Sequence, residues 1–197
     1  LTVATALQRD DFRRRESVTR AEMLYSTLMA IDSAVLECDL ELGGDDQLLN
    51  FYDAERVMEN EGIPPEAAIT TDILLGTSGD GKKMSKSSGN YVSLLAAPGE
   101  KFGKLMSIPD AQLEQYFKLL TDITDRQWEQ VATSLSEGRL HPMEVKVSLA
   151  RTVVSDLDGI EAARHAERDF RSRVVEKKPP AELPLVLVQA SQGASWI

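Results

Sequence analysis

Thiols, imidazoles and long apolar runs are all scarce in this chain. Cysteine occurs once, as Cys38, and histidine twice, as His141 and His165. One cysteine excludes an intramolecular disulfide and agrees with a reducing, cytoplasmic setting. Two histidines and one cysteine, far apart in sequence, do not make a structural zinc site, so no protein metal site is expected. No apolar run approaches the ~18 residues of a membrane span, and no charged-then-apolar leader opens the chain. Neither a membrane protein nor a secreted one is therefore expected. Positive charge is short as well: 22 Lys and Arg stand against 32 Asp and Glu, a net charge of −10. That balance argues against a bulk nucleic-acid coat. It leaves room for local phosphate contacts, because charges are screened beyond about 8 Å at physiological salt.

What the chain does have, over 197 residues with 42% hydrophobic composition, is the make-up of an ordinary globular protein. It begins at Leu1 rather than Met and stops inside "LVLVQASQGASWI". A piece of a longer protein is expected. Residues 2–15 read as a helix ending in Arg13, Arg14 and Arg15, and Thr19 as the cap of a second helix over 20–37. "CDLEL" reads as a strand stopped by Gly43-Gly44, and Asp45 or Asp46 as the cap of a helix that Gly62, Pro64 and Pro65 end. "AAITTDILLG" reads as a buried strand. After about residue 95 the pattern turns to successive helices, with Pro109, Thr124 and Pro142 at their starts. "KKPPAELP" reads as a linker to a further module.

On the helix over 20–37, Leu24, Leu28, Ile31 and Val35 share one face, the expected core stripe. Tyr25, Met29 and Asp32 lie beside it, with Ser26, Ser33 and Glu37 on the far side, in water. Tyr25 and Asp32 are read either as half-buried surface groups or as one wall of a small-molecule pocket. The turn "DLELGGDDQ", 39–47, is read either as a plain Gly-Gly-Asp turn or as a ligand crevice at a strand end, with Asp46 and Gln47 facing it.

Against this acidic background, "GDGKKMSKSSGN", 79–90, gathers Lys82, Lys83 and Lys86 with Ser85, Ser87 and Ser88 among three glycines. Most loops of this composition are solvated linkers. One that closes over a polyphosphate instead sets its ammonium groups where charge develops on a phosphoryl group. The Gly-x4-Gly-Lys-Ser/Thr spacing of a P-loop is missing. A second basic stretch, 164–178, carries six Arg or Lys against three acids.

The string "KMSKS", 83–87, is the signature loop of class I aminoacyl-tRNA synthetases. "KMSKSSGNYVSL", "PGEKFGKLMSIPD", "LLTD" and "HPMEVKVSLAR" follow in the order seen in bacterial tyrosyl-tRNA synthetases, and the upstream "LTVATALQRDDFRRR", "Y-x3-M-x2-D" and "DLELGGDDQ" resemble that family too. The resemblance implies an α/β chain. Residues 1–95 would be the later part of a Rossmann-like catalytic domain, 96–178 an α-helical anticodon-side domain, and 179–197 a linker and the start of a C-terminal RNA-binding module. It implies a homodimeric ligase that activates tyrosine with ATP and Mg2+ and transfers it to tRNA. Lys83 and Lys86 would stabilise the departing pyrophosphate, Lys86 first among them. Met84, Ser85 and Ser87 would lie on the ATP with them, and Gly44 and Asp46 near the adenylate ribose. Tyr25, Met29, Asp32 and Gln47 would line the amino-acid pocket, Tyr25 near the ammonium group.

Two departures qualify the resemblance. Met29 stands where the family usually has Gln, as in the tryptophanyl enzymes, so a ligase for another aromatic amino acid stays open. The family's His-x-Gly-His motif is absent, so a synthetase-derived RNA-binding protein without catalysis stays open too. The chain alone is expected to be inactive and, with half a parallel sheet, poorly soluble.

Overall fold

The computed structural model describes Phe12 and residues 17–175. The helix expected over 2–15, Phe12 apart, with its three arginines, the end of the basic stretch and the segment 179–197 lie outside the described residues. Among the described residues the fold is mostly helical with one small parallel sheet, and the chain forms two compact units, Leu1–Leu75 and Gly76–Ile197.

In the first unit, helix α1 (Arg20–Leu36) starts at Thr19. The Thr19 hydroxyl accepts from the Glu22 amide at 3.2 Å, and the Glu22 carboxylate accepts from the Thr19 amide at 2.8 Å. This reciprocal box satisfies two of the donors that a helix start leaves over. Strand β1 (Leu40–Gly44) runs through both glycines of the turn, then a 3-10 turn (Asp45–Gln47) leads into α2 (Leu48–Asn60). Strand β2 (Ala67–Thr71) returns parallel to β1, with Leu40 opposite Ala67 and Gly44 opposite Thr71. The sequence β1–α2–β2 is thus a βαβ crossover. At Gly43 the crossover helix comes so close that a Cβ would sit 2.7 Å from the Phe51 ring, which explains a glycine there.

Besides the stop expected at Gly43-Gly44, which β1 runs through, three expectations fail in this unit. Neither aspartate is a cap: Gly44 precedes the 3-10 turn, Asp45 and Asp46 lie within it, and Gln47 holds the N-cap position of α2. β2 is largely exposed rather than buried. Most instructive is α1, whose buried side chains are Ser26, Ala30 and Ser33, while Leu24, Leu28, Ile31 and Val35 are exposed. Both faces of this helix are compatible with packing. The small side chains let α1 lie close against α2, where Phe51, Ala54 and Met58 are buried. Pattern reading picks the face with larger apolar groups; the observed packing uses the face with smaller ones.

The second unit follows its sequence signals more closely. Helix α3 (Pro98–Met106) starts with proline in its first turn. A 3-10 turn (Asp110–Gln112) follows Pro109 and leads into α4 (Leu113–Leu120). Helix α5 (Asp125–Ser136) opens on the Thr124–Gln127 box, 2.9 Å from the Thr124 amide to the Gln127 side chain. Helix α6 (Pro142–Asp158) is capped by His141, whose Nδ1 accepts from the Met143 amide at 3.2 Å, and α7 (Ile160–Phe170) ends in a π-helical turn (Arg171–Val175). α3, α6 and α7 pack on one another. Phe102 meets Phe170 with ring centroids 5.6 Å apart, and Phe117 meets Trp128 at 5.5 Å, so Trp128, Tyr116 and Phe117 are core residues.

At the centre of that three-helix cluster, Lys101 is buried at 2% exposure, and its ammonium donates to both oxygens of Asp158 at 2.8 Å. The pair ties α3 to the last turn of α6. A buried ammonium that loses its partner is far more costly than the pair itself is stabilising. Asp158→Ala should therefore lower unfolding free energy by about 3 kcal/mol, and adding Lys101→Met should recover most of the loss, both read from urea unfolding. A double variant as unstable as Asp158→Ala would show that the pair is not the linkage.

Candidate functional site

The lysine loop is a closed structure. The Gly76 amide donates to the Lys82 carbonyl and the Thr77 amide to the Asn90 carbonyl, both at 2.9 Å. At the tip, one oxygen of Asp80 accepts from the Ser78 hydroxyl at 2.9 Å and from the Lys82 amide at 3.1 Å, and the Lys82 ammonium lies 3.3 Å from the other. Those bonds, the Lys82 amide first, hold the Asp80 carboxyl below its ordinary range. Lys82 thus serves the tip. Lys83 and Lys86 are exposed, and Lys86 has no ion-pair partner among the described residues. Ser85 organises the following turn: its hydroxyl accepts from the Ser88 amide at 3.2 Å and lies 3.0 Å from the Ser87 hydroxyl, while the Gly89 amide donates to the Lys86 carbonyl at 3.2 Å. The structure thus brings Lys83, Met84, Ser85, Lys86 and Ser87 together on one ordered loop of the second unit.

The remaining expected site residues lie in the first unit. Tyr25, Met29 and Asp32 follow one flank of α1, Tyr25 and Asp32 exposed and Met29 half-buried. Gly44, Asp46 and Gln47 sit at the carboxyl end of β1 and in the 3-10 turn. Gln47 is held by Asn50, whose Nδ2 donates to its side-chain oxygen at 2.8 Å. Asn50 itself is fully buried, so α2 fixes the direction of Gln47.

The family described as tRNA synthetases class I (W and Y) matches residues 1–174. The chain belongs to this family. Its relatives include the tyrosine–tRNA ligase of Thermotoga maritima, 40% identical across 98% of this chain and 49% of that protein. That of Dehalococcoides mccartyi is 36% identical across 100% of this chain and 50% of that protein. The chain thus spans about half the length of the curated relatives it matches. Among solved structures, the tyrosyl-tRNA synthetase of Archaeoglobus fulgidus, complexed with L-tyrosine, superposes with a TM-score of 0.59 at 27% identity, over 85% of this chain and 59% of that one. The Aeropyrum pernix enzyme, at 24% identity and TM-score 0.60 over 87% of this chain and 59% of that one, shares the fold.

An acidic cluster that no sequence motif marks lies beside β1. The Ser33 hydroxyl donates to Glu41 at 3.2 Å, joining α1 to β1, and the Cys38 thiol donates to Glu66 at 2.7 Å. Burial pushes the Glu41 carboxyl above its ordinary range, and the hydrogen bond and charge of Glu66 push it the same way. The Cys38 thiol is raised mainly by its bond to Glu66. One side-chain oxygen of Glu66 is buried without a hydrogen-bond partner among the described residues. Alternation alone marks Glu41 as a solvent-facing residue of a strand; only pairing with β2 reveals that Glu66 faces it. Because its proton is held more tightly in the folded state, the contribution of Glu41 to stability is full below the ordinary carboxylate pKa. It is lost as pH rises through the raised value. Unfolding free energy monitored through the first unit should fall across that window, and Glu41→Gln should flatten the fall. An unchanged slope in the variant would remove Glu41 as its source.

Proposed function

We propose that this chain carries the later part of a tyrosine–tRNA ligase: the pyrophosphate-binding loop, one wall of the amino-acid pocket and the helical domain on the anticodon side. The tyrosine carboxylate attacks the α-phosphorus of ATP, the bond to the bridging oxygen breaks, and pyrophosphate leaves with the bond's electrons. Tyrosyl-adenylate remains. The terminal ribose hydroxyl of tRNA then attacks its carbonyl, and AMP departs. Lys83 and Lys86 face the charge that builds on the leaving group; an ammonium held in place costs little reorganisation at that moment. Met84, Ser85 and Ser87 shape the loop around the phosphates, Gly44 and Asp46 border the ribose, and Tyr25, Asp32 and Gln47 hold the amino acid. Mg2+ enters with ATP; among the described residues no group of three His, Cys, Asp or Glu is placed to hold a metal. A cytoplasmic homodimer completes the reading, and sedimentation of the complete protein as a monomer would remove that part.

The observation that carries the reading is the ordered loop: within a chain of net charge −10 it holds two lysines outward on a hydrogen-bonded frame. ATP–pyrophosphate exchange by the protein from its complete reading frame should depend on tyrosine and fall by about 100-fold in Lys86→Ala. Met29, half-buried and unable to donate a hydrogen bond, favours a second reading in which another aromatic amino acid is taken. Exchange with tryptophan or phenylalanine above that with tyrosine would establish it, and exchange with no amino acid would sink both.

For tRNA, the basic stretch is less open than its composition implies. Arg164 pairs with Glu161 at 2.7 Å, and Arg171 with Glu144 and Glu167 at 3.0 and 3.1 Å. Arg168 is exposed with no ion pair among the described residues. Arg168→Glu should raise the KM for tRNA several-fold at low salt and leave exchange unchanged; an unaltered KM would take this face out of the contact.

A further inference from the structure

We infer that Asn90 is the positioning residue of the lysine loop, a clasp that sets the backbone from which both lysines project. The inference rests on the ligase reading above and adds a residue to which the signature motif assigns no role. Asn90 is 4% exposed, in a loop otherwise almost wholly open to water. Its side-chain oxygen accepts from the Ser85 amide at 2.8 Å, and its Nδ2 donates to the Lys83 carbonyl at 3.2 Å. Its own carbonyl accepts from the Thr77 amide at 2.9 Å. One side chain thus pins the backbone on both sides of Met84, and its main chain closes the loop's entry.

The pocket for this amide exists because residue 76 is glycine. A Cβ there would run into the amide nitrogen and Cγ of Asn90. A buried amide with both ends satisfied in one geometry rigidifies what it binds, and losing it removes one part-buried hydrogen bond on each side of Met84. Residues 83–90 therefore move as one preformed piece when the loop closes. A flexible string of lysines would lose entropy on gripping the phosphates; this one has lost it beforehand. The benefit belongs to the transition state, where a misplacement of about 1 Å costs on the order of 100-fold.

The test uses the complete protein and has two independent readouts. Without nucleotide, the Ser85 amide should exchange slowly with deuterium in the wild type and at least 10-fold faster in Asn90→Ala, with the melting temperature nearly unchanged. In ATP–pyrophosphate exchange, Asn90→Ala should lower kcat by about 100-fold with the KM for ATP altered less than about threefold. The loss should not add to that of Lys86→Ala, because a misplaced ammonium is already lost. Gly76→Ala, whose methyl group would run into the amide nitrogen, Cγ and Cβ of Asn90, should be as damaging as Asn90→Ala alone. Additive losses, an unaltered Ser85 exchange rate, or a KM change equal to the kcat change would each overturn the inference. If the wild type shows tyrosine-dependent exchange and Lys86→Ala abolishes it, such results leave the ligase reading intact. If the wild type shows none, the ligase reading itself fails, and the Ser85 measurement still decides the clasp.

Discussion

The order of the cationic segment in this protein rests on a single buried amide group. Glycine and serine give residues 79–90 the composition of a flexible tether, and exposed lysines on a tether would be scattered by their own entropy. Asn90 removes that freedom by bonding to the Ser85 amide and the Lys83 carbonyl from a buried position. Asp80 does the same for the tip with Ser78 and Lys82. What remains outward is Lys83 and Lys86, on a frame. A chain with ten more negative than positive charges would otherwise repel a polyanion such as ATP. Local order is what lets a local charge prevail over the net one.

The helical part supplies stability by the usual route of aromatic and aliphatic burial, with one exception. Lys101 is a charge placed where a methionine would fit, satisfied bidentately by Asp158. Such pairs specify an arrangement more than they strengthen it; here the arrangement specified is the register of α3 against the end of α6. The first unit is built differently. Ser26, Ala30 and Ser33 allow close helix contact, and the Ser33 hydroxyl joins α1 to Glu41 of β1.

Local signals survived into the structure wherever they were written in neighbouring residues. The boxes Thr19–Glu22 and Thr124–Gln127, the His141-Pro142 entry and the Gly62 stop all lie within one turn of what they control. The parallel partnership of β1 and β2, the buried face of α1 and the Glu41–Glu66 pair depend on residues more than twenty positions apart or on a choice between two apolar faces. The loop divides the same way. Its lysines and serines declare themselves by type, and the family motif points to their chemistry. Asn90 does not, because asparagine after glycine is common in turns. What singles it out is Gly76, fourteen positions earlier, whose missing side chain is the space that Asn90 fills.

On the proposed reading, Lys83 and Lys86 together receive the departing pyrophosphate. The most direct measurement is nitrogen NMR of the lysine ammonium groups in the complete protein, labelled at lysine and titrated with pyrophosphate. The claim predicts that the side-chain signals of Lys83 and Lys86 move together and saturate, while the Lys101 signal stays in place. Signals of Lys83 and Lys86 that do not respond, or that drift without saturation alongside the other surface lysines, would contradict it.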